Sequence, residues 1–416
     1  MGLRRRSFQS VYRSVTVLVI LIALAVAWSG AVAPDMVHAE EPATTPIDVS
    51  KLEIKGIEKV ERGPYRGFLW SPDGTKALVS KTGALYHLYR PEGAKGMEGL
   101  PVGMRDLWVV DWASGQEEQL AETAFRWAWS PDSSAVAYIA PLSETGIAGE
   151  LYVFELASKS AKRIADVDIL QSYDQPWWLE TNEIVFIADA HIWSVQPDGS
   201  DLRQVNELHL GHFRPEGAEE FAMYNGDVGD INISPSGKYI TYQDAVMIPN
   251  SRNYRVELWL ADLDGQNARV IDENGIEESW SPDGTSLVYL SRPDWENPYA
   301  ANLAVVDAET SEHWLVYEAS TALASPSSVI WSPGSDALAF REYDFAALEA
   351  GEIPALWFVA TDGSEQRVFR DFEDVPAFQD SLEYMTWNKD GTHLLVIPGI
   401  PGGGGTPYVV ELADSP

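Results

Sequence analysis

The chain has 416 residues, 45% of them hydrophobic, with 63 Asp and Glu against 29 Lys and Arg, a formal net charge of −34 and no cysteine. That apolar fraction excludes wholesale disorder and suffices for one large repeat domain or about two or three ordinary ones. So acidic a surface repels phosphate backbones, which excludes nucleic acid as an expected partner; the missing cysteines exclude disulfides, a lipidated cysteine anchor and thiol chemistry.

The first element is Arg4, Arg5 and Arg6 ahead of an apolar run over 15–28, followed by Val37-His38-Ala39. A basic start, an apolar centre and a small-x-Ala ending predict a signal peptide over 1–39. Arg5-Arg6-Ser7-Phe8 adds twin-arginine-like features. The run over 15–33 just reaches spanning length, so retention as an anchor competes with cleavage. The expected organisation is signal peptide 1–39, linker 40–48 and one domain over 49–416. Its location is then extracytoplasmic (periplasmic, cell-surface or secreted), with membrane contact only through the N-terminal segment if it stays uncleaved.

After residue 50 the chain repeats. Trp70-Ser71-Pro72-Asp73-Gly74 returns as Trp129-Ser130-Pro131-Asp132-Ser133, Ile233-Ser234-Pro235-Ser236-Gly237 and Trp280-Ser281-Pro282-Asp283-Gly284. It returns again as Trp331-Ser332-Pro333-Gly334-Ser335 and Trp387-Asn388-Lys389-Asp390-Gly391, and Trp178-Leu179-Glu180-Thr181-Asn182 is a worn copy between the second and third. The spacing averages about 53 residues, a little over the usual propeller blade. Pro pre-sets the first corner of a tight turn, Asp caps its own backbone and Gly accepts a positive φ. Each turn leads into short β-branched and aromatic runs, such as Ala77-Leu78-Val79 and Leu287-Val288-Tyr289. One such sheet cannot bury both its faces, so the copies must stack radially into a closed ring, the tryptophans wedging between sheets. The expected fold is an all-β propeller of seven four-stranded blades, with six as the runner-up because the third copy is weak. The last blade lacks a fourth strand after Tyr408-Val409-Val410-Glu411-Leu412, and the segment over 52–58 has no partner before it. The N-terminal strand is therefore expected to close the ring.

The motif resembles the WD40-like repeat of the TolB-like propeller family, over roughly residues 50–416. TolB itself carries an α/β domain before a six-bladed propeller, and the stretch after residue 39 is too short for one. The resemblance therefore implies a propeller but not TolB's partnership with the peptidoglycan-associated lipoprotein.

Turns between strands one and two, and three and four, are short and alike; the other two classes vary and share one face, where binding residues concentrate. The loop over 206–230 holds His209, His212, Arg214 and Asp227, the two imidazoles being the candidate ligands of a divalent metal. Arg90 lies in a hexapeptide, Tyr89-Arg90-Pro91-Glu92-Gly93-Ala94, that nearly recurs from Phe213 to Ala218. Trp295 and Tyr299 form an aromatic pair beside carboxylates, suited to sugar or cation contact. Asp262-x-Asp264-Gly265 matches a hairpin turn better than a calcium loop, having no Glu at the twelfth position. No Gly-x-Ser-x-Gly elbow, His-Glu-x-x-His or phosphate loop occurs. Related oligogalacturonate lyases hold a metal with histidines and a glutamine; His209, His212, His313 and His393 are available here, but the Gln-x-x-His-x-His pattern is missing. The leading expectation is a non-enzymatic binding scaffold for a protein or cell-envelope component. The alternative is a metal-dependent carbohydrate-active enzyme, lyase-like, on the same face.

Overall fold

The computed structural model describes residues 46–81, 83–87, 101–124, 126–141, 148–168, 176–188, 191–205, 231–247, 254–294, 296–297, 299–370, 372, 378, 382–398 and 405–414. They form seven antiparallel sheets. Blade 1 comprises Phe68–Trp70, Lys76–Val79, Pro101–Asp111 and Glu117–Ala124, and blade 2 comprises Trp127–Trp129, Ala135–Pro141, Ala148–Glu155 and Ser160–Asp168. Blade 3 is the smallest, with Trp177–Trp178, Ile184–Ala188, His191–Val195 and Arg203–Gln204. Blade 4 follows as Asn232–Ile233, Tyr239–Met247, Tyr254–Asp262 and Arg269–Asp272, then blade 5 as Gly275–Trp280, Ser286–Ser291, Asn302–Asp307 and His313–Tyr317. Blade 6 is Ala324–Trp331, Ala337–Asp344, Ala355–Ala360 and Gln366–Phe369; blade 7 is Leu382–Trp387, His393–Pro398 and Tyr408–Asp414. The fourth strand of blade 7 is Leu52–Lys59, paired from Leu52↔Asp414 to Lys59↔Tyr408. The count is seven, and the N-terminal strand closes the ring.

The repeated turn explains why the worn copy still makes a blade. In the first copy Ser71 N–H donates to Lys76 O and Gly74 N–H to Ser71 O, both at 2.8 Å, while the Asp73 carboxylate accepts from Thr75 N–H at 2.9 Å. The corner residue must adopt positive φ, and all seven do: Gly74, Ser133, Asn182, Gly237, Gly284, Ser335 and Gly391 lie between 60° and 73°. Asn182 supplies that conformation in the worn copy, Asn being among the few non-glycine residues that adopt it readily. Serine tolerates it less well, and at two corners it gains a bond to the neighbouring blade. Ser133 Oγ accepts from Asp73 N–H at 2.9 Å, and Ser335 Oγ accepts from Asp283 N–H at 3.2 Å.

Strands here are apolar on both faces because both are covered. In blade 1, Leu78 packs toward blade 2 with Trp129 and Val136, while Ala77 and Val79 pack toward blade 7 with Leu395 and Ile397. Every junction between consecutive blades holds one such buried cluster, including the junction of blade 7 with blade 1. The motif tryptophans sit in them: Trp280 is fully buried and stacks on Tyr239 of blade 4 at 6.1 Å. Trp129 and Trp331 each donate Nε1–H to the preceding blade, to Leu69 O at 3.2 Å and Ser279 O at 3.0 Å.

Three features extend the plain repeat. Gly83–His87 continues the line of Lys76–Val79 along Pro101–Asp111, so blade 1 lengthens into a two-stranded ribbon. Ahead of the closing strand, Ile47 N–H donates to Asp336 Oδ2 at 2.6 Å and Ser50 N–H to Glu365 Oε2 at 3.1 Å, seating the chain on blade 6. A five-residue helix, Phe345–Glu349, interrupts blade 6, capped by Asp344. No helix among the described residues is long and apolar enough to cross a membrane.

Candidate functional site

The ring has two unlike ends. One, the turn face, carries the seven repeated turns and the short links between third and fourth strands; Asp262-x-Asp264-Gly265 is one of those links, a hairpin in which Gly265 N–H donates to Asp262 O at 2.8 Å. The other, the loop face, carries the connections between second and third strands and those from blade to blade. Three loop-face segments around blades 5 and 6 are knitted together. Asn297 Nδ2–H, from the link inside blade 5, donates to Ala322 O at 2.8 Å, on the crossing into blade 6. Phe345 N–H donates to Leu323 O at 3.0 Å, and Thr321 Oγ–H donates to Asp344 Oδ2 at 2.9 Å. Tyr299 meets Phe345 edge to face with ring centroids 5.3 Å apart. The result is a platform bearing half-buried aromatic rings and Leu323, which is 40% exposed.

Within the three segments themselves the charge is one-sided. The segments 293–301, 318–323 and 344–354 contain Asp294, Glu296, Glu318, Asp344, Glu349 and Glu352 and no Lys, Arg or His. Asp344 is engaged as the helix cap, accepting from Ala346 and Ala347 N–H. Burial alone raises its carboxyl, but the Thr321 hydroxyl and those two amides more than offset that, and it titrates below the ordinary range. Glu296, Glu318, Glu349 and Glu352 are exposed and make no ion pair among the described residues.

Buried carboxylates beneath the loop face are occupied by internal donors. Glu278 accepts from Thr241 Oγ–H at 3.2 Å and Gln243 Nε2–H at 3.0 Å, joining blades 5 and 4. Glu342 accepts from the Tyr317 hydroxyl and from Ser320 N–H at 3.0 Å; burial, then this carboxylate, pushes the Tyr317 hydroxyl well above its ordinary range. Asp106 accepts from Ser80 Oγ–H at 3.1 Å, Lys81 N–H at 2.9 Å and Trp108 Nε1–H at 2.7 Å. Fully buried Arg341 donates to Pro354 O at 3.0 Å and Phe378 O at 2.9 Å, and burial lowers its pKa. These groups stiffen the loop face, leaving aromatic contact and exposed carboxylates as what the blade 5–6 platform offers a ligand.

Of the residues singled out in the sequence, Tyr299 falls in the platform. Arg90, His209, His212, Arg214, Asp227 and Trp295 lie outside the described residues, and so does the proposed His209–His212 metal pair. His313 is exposed and begins the fourth strand of blade 5; His393 begins the second strand of blade 7 and bonds Thr392 at 2.7 Å. Both follow turn-face links, so neither belongs to the loop face. Among the described residues no group of three or more His, Asp or Glu side chains is arranged to hold a metal. Sequence reasoning missed Phe345, Leu323 and Glu278; Asp344 ahead of Phe345-Ala346-Ala347 is a helix-cap pattern that points to the first.

No family model matches the chain. An uncharacterized protein of Agrobacterium fabrum is 20% identical over 287 residues, covering 59% of this chain and 91% of the relative. Among solved structures, TolB from Acinetobacter baumannii aligns with 64% of this chain and 59% of its own at 14% identity, with a TM-score of 0.38. An oligogalacturonate lyase in complex with manganese aligns with 90% of this chain and 99% of its own at 14% identity and a TM-score of 0.56, a likeness of fold.

Proposed function

We propose that the chain is an extracytoplasmic, non-enzymatic scaffold whose loop face binds a protein or cell-envelope component. The observation that carries this is the platform of blades 5 and 6. Bonds spanning three separate loops hold aromatic and apolar side chains at the surface, and ordered surface of that kind is characteristic of binding sites. Export is part of the same proposal, supported by Arg4–Arg6, the apolar run and Val37-His38-Ala39. Mature protein from its host is expected to begin near Glu40, as N-terminal sequencing would read. A pull-down from envelope extract should recover a partner with the intact chain and lose it when 345–354 is replaced by a short Gly-Ser link. Recovery by both would refute a loop-face site there.

A second proposal, a metal-dependent carbohydrate enzyme of lyase type, draws on the fold likeness to the manganese-bound lyase and on His209 and His212. It requires a stoichiometric transition metal after purification, lost in the His209→Ala, His212→Ala double variant. The scaffold proposal expects none.

A further inference from the structure

We infer that the blade 5–6 platform takes a basic polypeptide segment, with cationic side chains against its carboxylates and apolar side chains against Leu323 and the Tyr299–Phe345 pair. The inference deepens the scaffold proposal and rests on it. Charge complementarity selects the occupant. Six acidic residues and no basic one occupy the three platform segments, and Glu296, Glu318, Glu349 and Glu352 have no ion-pair partner among the described residues. A second set of observations makes the surface more than acidic. Leu323 stays 40% exposed although its carbonyl is tied down by Phe345 N–H, and the Tyr299 and Phe345 rings are fixed edge to face at 5.3 Å. Arginine and lysine combine an apolar stem with a cationic head, so they satisfy both chemistries at once. A polyanion would meet repulsion, and a plain apolar helix would leave the rim carboxylates partly desolvated without partners.

The test uses the full chain and a fluorescent synthetic peptide alternating arginine with leucine, read by anisotropy at two salt concentrations. Its comparators are a peptide alternating glutamate with leucine, and free spermine. The arginine peptide should bind and the glutamate peptide should not. Neutralising the rim (Glu296→Gln, Glu318→Gln, Glu349→Gln, Glu352→Gln) should weaken binding by about tenfold or more and flatten its salt dependence. Neutralising four exposed carboxylates elsewhere (Glu122→Gln, Asp201→Asn, Glu309→Gln, Glu312→Gln) should change it by less than about twofold. Leu323→Ser should weaken it by about threefold without altering the salt slope. Equal losses in the two charge variants would reduce the effect to general attraction by an acidic protein and overturn the inference. Spermine competing as well as the peptide, with Leu323→Ser silent, would assign the site to a small polycation and overturn it too. Failure of the peptide while the envelope pull-down still recovers a partner overturns this inference alone; loss of that partner as well overturns the scaffold proposal.

Discussion

Both ends of the ring must turn a strand back on itself, and they do it differently. At the turn face one five-residue solution recurs, with a corner residue at positive φ in every copy. At the loop face, the connections whose residues are all described run from the two residues between Asp272 and Gly275 to the ten between Asp344 and Ala355. The Trp that ends the inner strand immediately before each turn packs into a shared junction cluster in most blades, so any change in the turn is transmitted to two blades. Loop-face connections follow no common pattern, and only single side chains of theirs, such as Tyr65, Phe372 and Phe378, reach into the junction clusters. The scaffold proposal puts recognition at the end of the strands opposite the repeated turns.

The strongest way to break this comparison is to open the ring. Deleting 49–60 should expose the edge of Tyr408–Asp414 and cause aggregation or a loss on the order of 5 kcal/mol. Deleting 1–44 should leave the melting temperature nearly unchanged; equal melting temperatures for the two truncations would contradict strand closure. Next in size is Trp280→Ala, which empties a fully buried site between blades 4 and 5. Chemical denaturation should show a loss of about 3–5 kcal/mol, with binding by the remaining folded fraction intact.

A glycine pair sharpens the contrast between faces. At Gly237 in a repeated turn (φ +69°) a Cβ would lie 2.5 Å from Leu179 Cδ1, whereas at Gly351 beside the loop-face helix (φ +84°) it would meet nothing within 4 Å. Both alanine variants incur backbone strain of about 1–2 kcal/mol, but Gly237→Ala should lose about 1 kcal/mol more. Equal losses in paired thermal melts would show that the turn is no more constrained than the loop.

The smallest effect is acid sensitivity. Burial alone raises Asp73, Asp132 and Asp390, yet hydrogen bonds from Ser71 and Thr75, from Ser134 and Ser130, and from Thr392 and Asn388 hold each below the ordinary 3.8. A depressed carboxylate stabilises above its unfolded pKa and loses that contribution as pH falls. Stability should therefore decline from about pH 4 downward, and Asp73→Asn should make the decline shallower. An unchanged slope in melts across that range would remove the turn carboxylates from the account.

The fold was legible because Trp-Ser-Pro-Asp-Gly encodes backbone geometry directly: Pro72, Asp73 and Gly74 each do one local thing, and repetition reveals the ring. Even the worn copy kept the residue that mattered, Asn182 at its corner. The closing strand was legible by elimination, since Leu52-Glu53-Ile54 had no earlier partner and Tyr408-Val409-Val410 had no later one. The platform was not. Tyr299 stood out as an aromatic beside carboxylates, but Phe345, Leu323 and Thr321 join it only because blades 5 and 6 bring three loops together. Glu278 was equally hidden, since nothing local distinguishes a carboxylate that meets Thr241 and Gln243 of another blade from an exposed one.

Closure by Leu52–Lys59 also has a consequence in time. The strand's partner, Tyr408–Asp414, lies about 350 residues later in the chain, so the ring's closing strand is made long before the strand it pairs with. A ribosome delivering the chain from its N-terminus can complete blades 1 to 6 before the ring can shut. Any product cut short before Tyr408 keeps its first strand loose and blade 7 unfinished, with bare edges that attract other chains or proteases. The ring thus checks its own completeness, because only a polypeptide that reaches Tyr408–Asp414 can cover both edges.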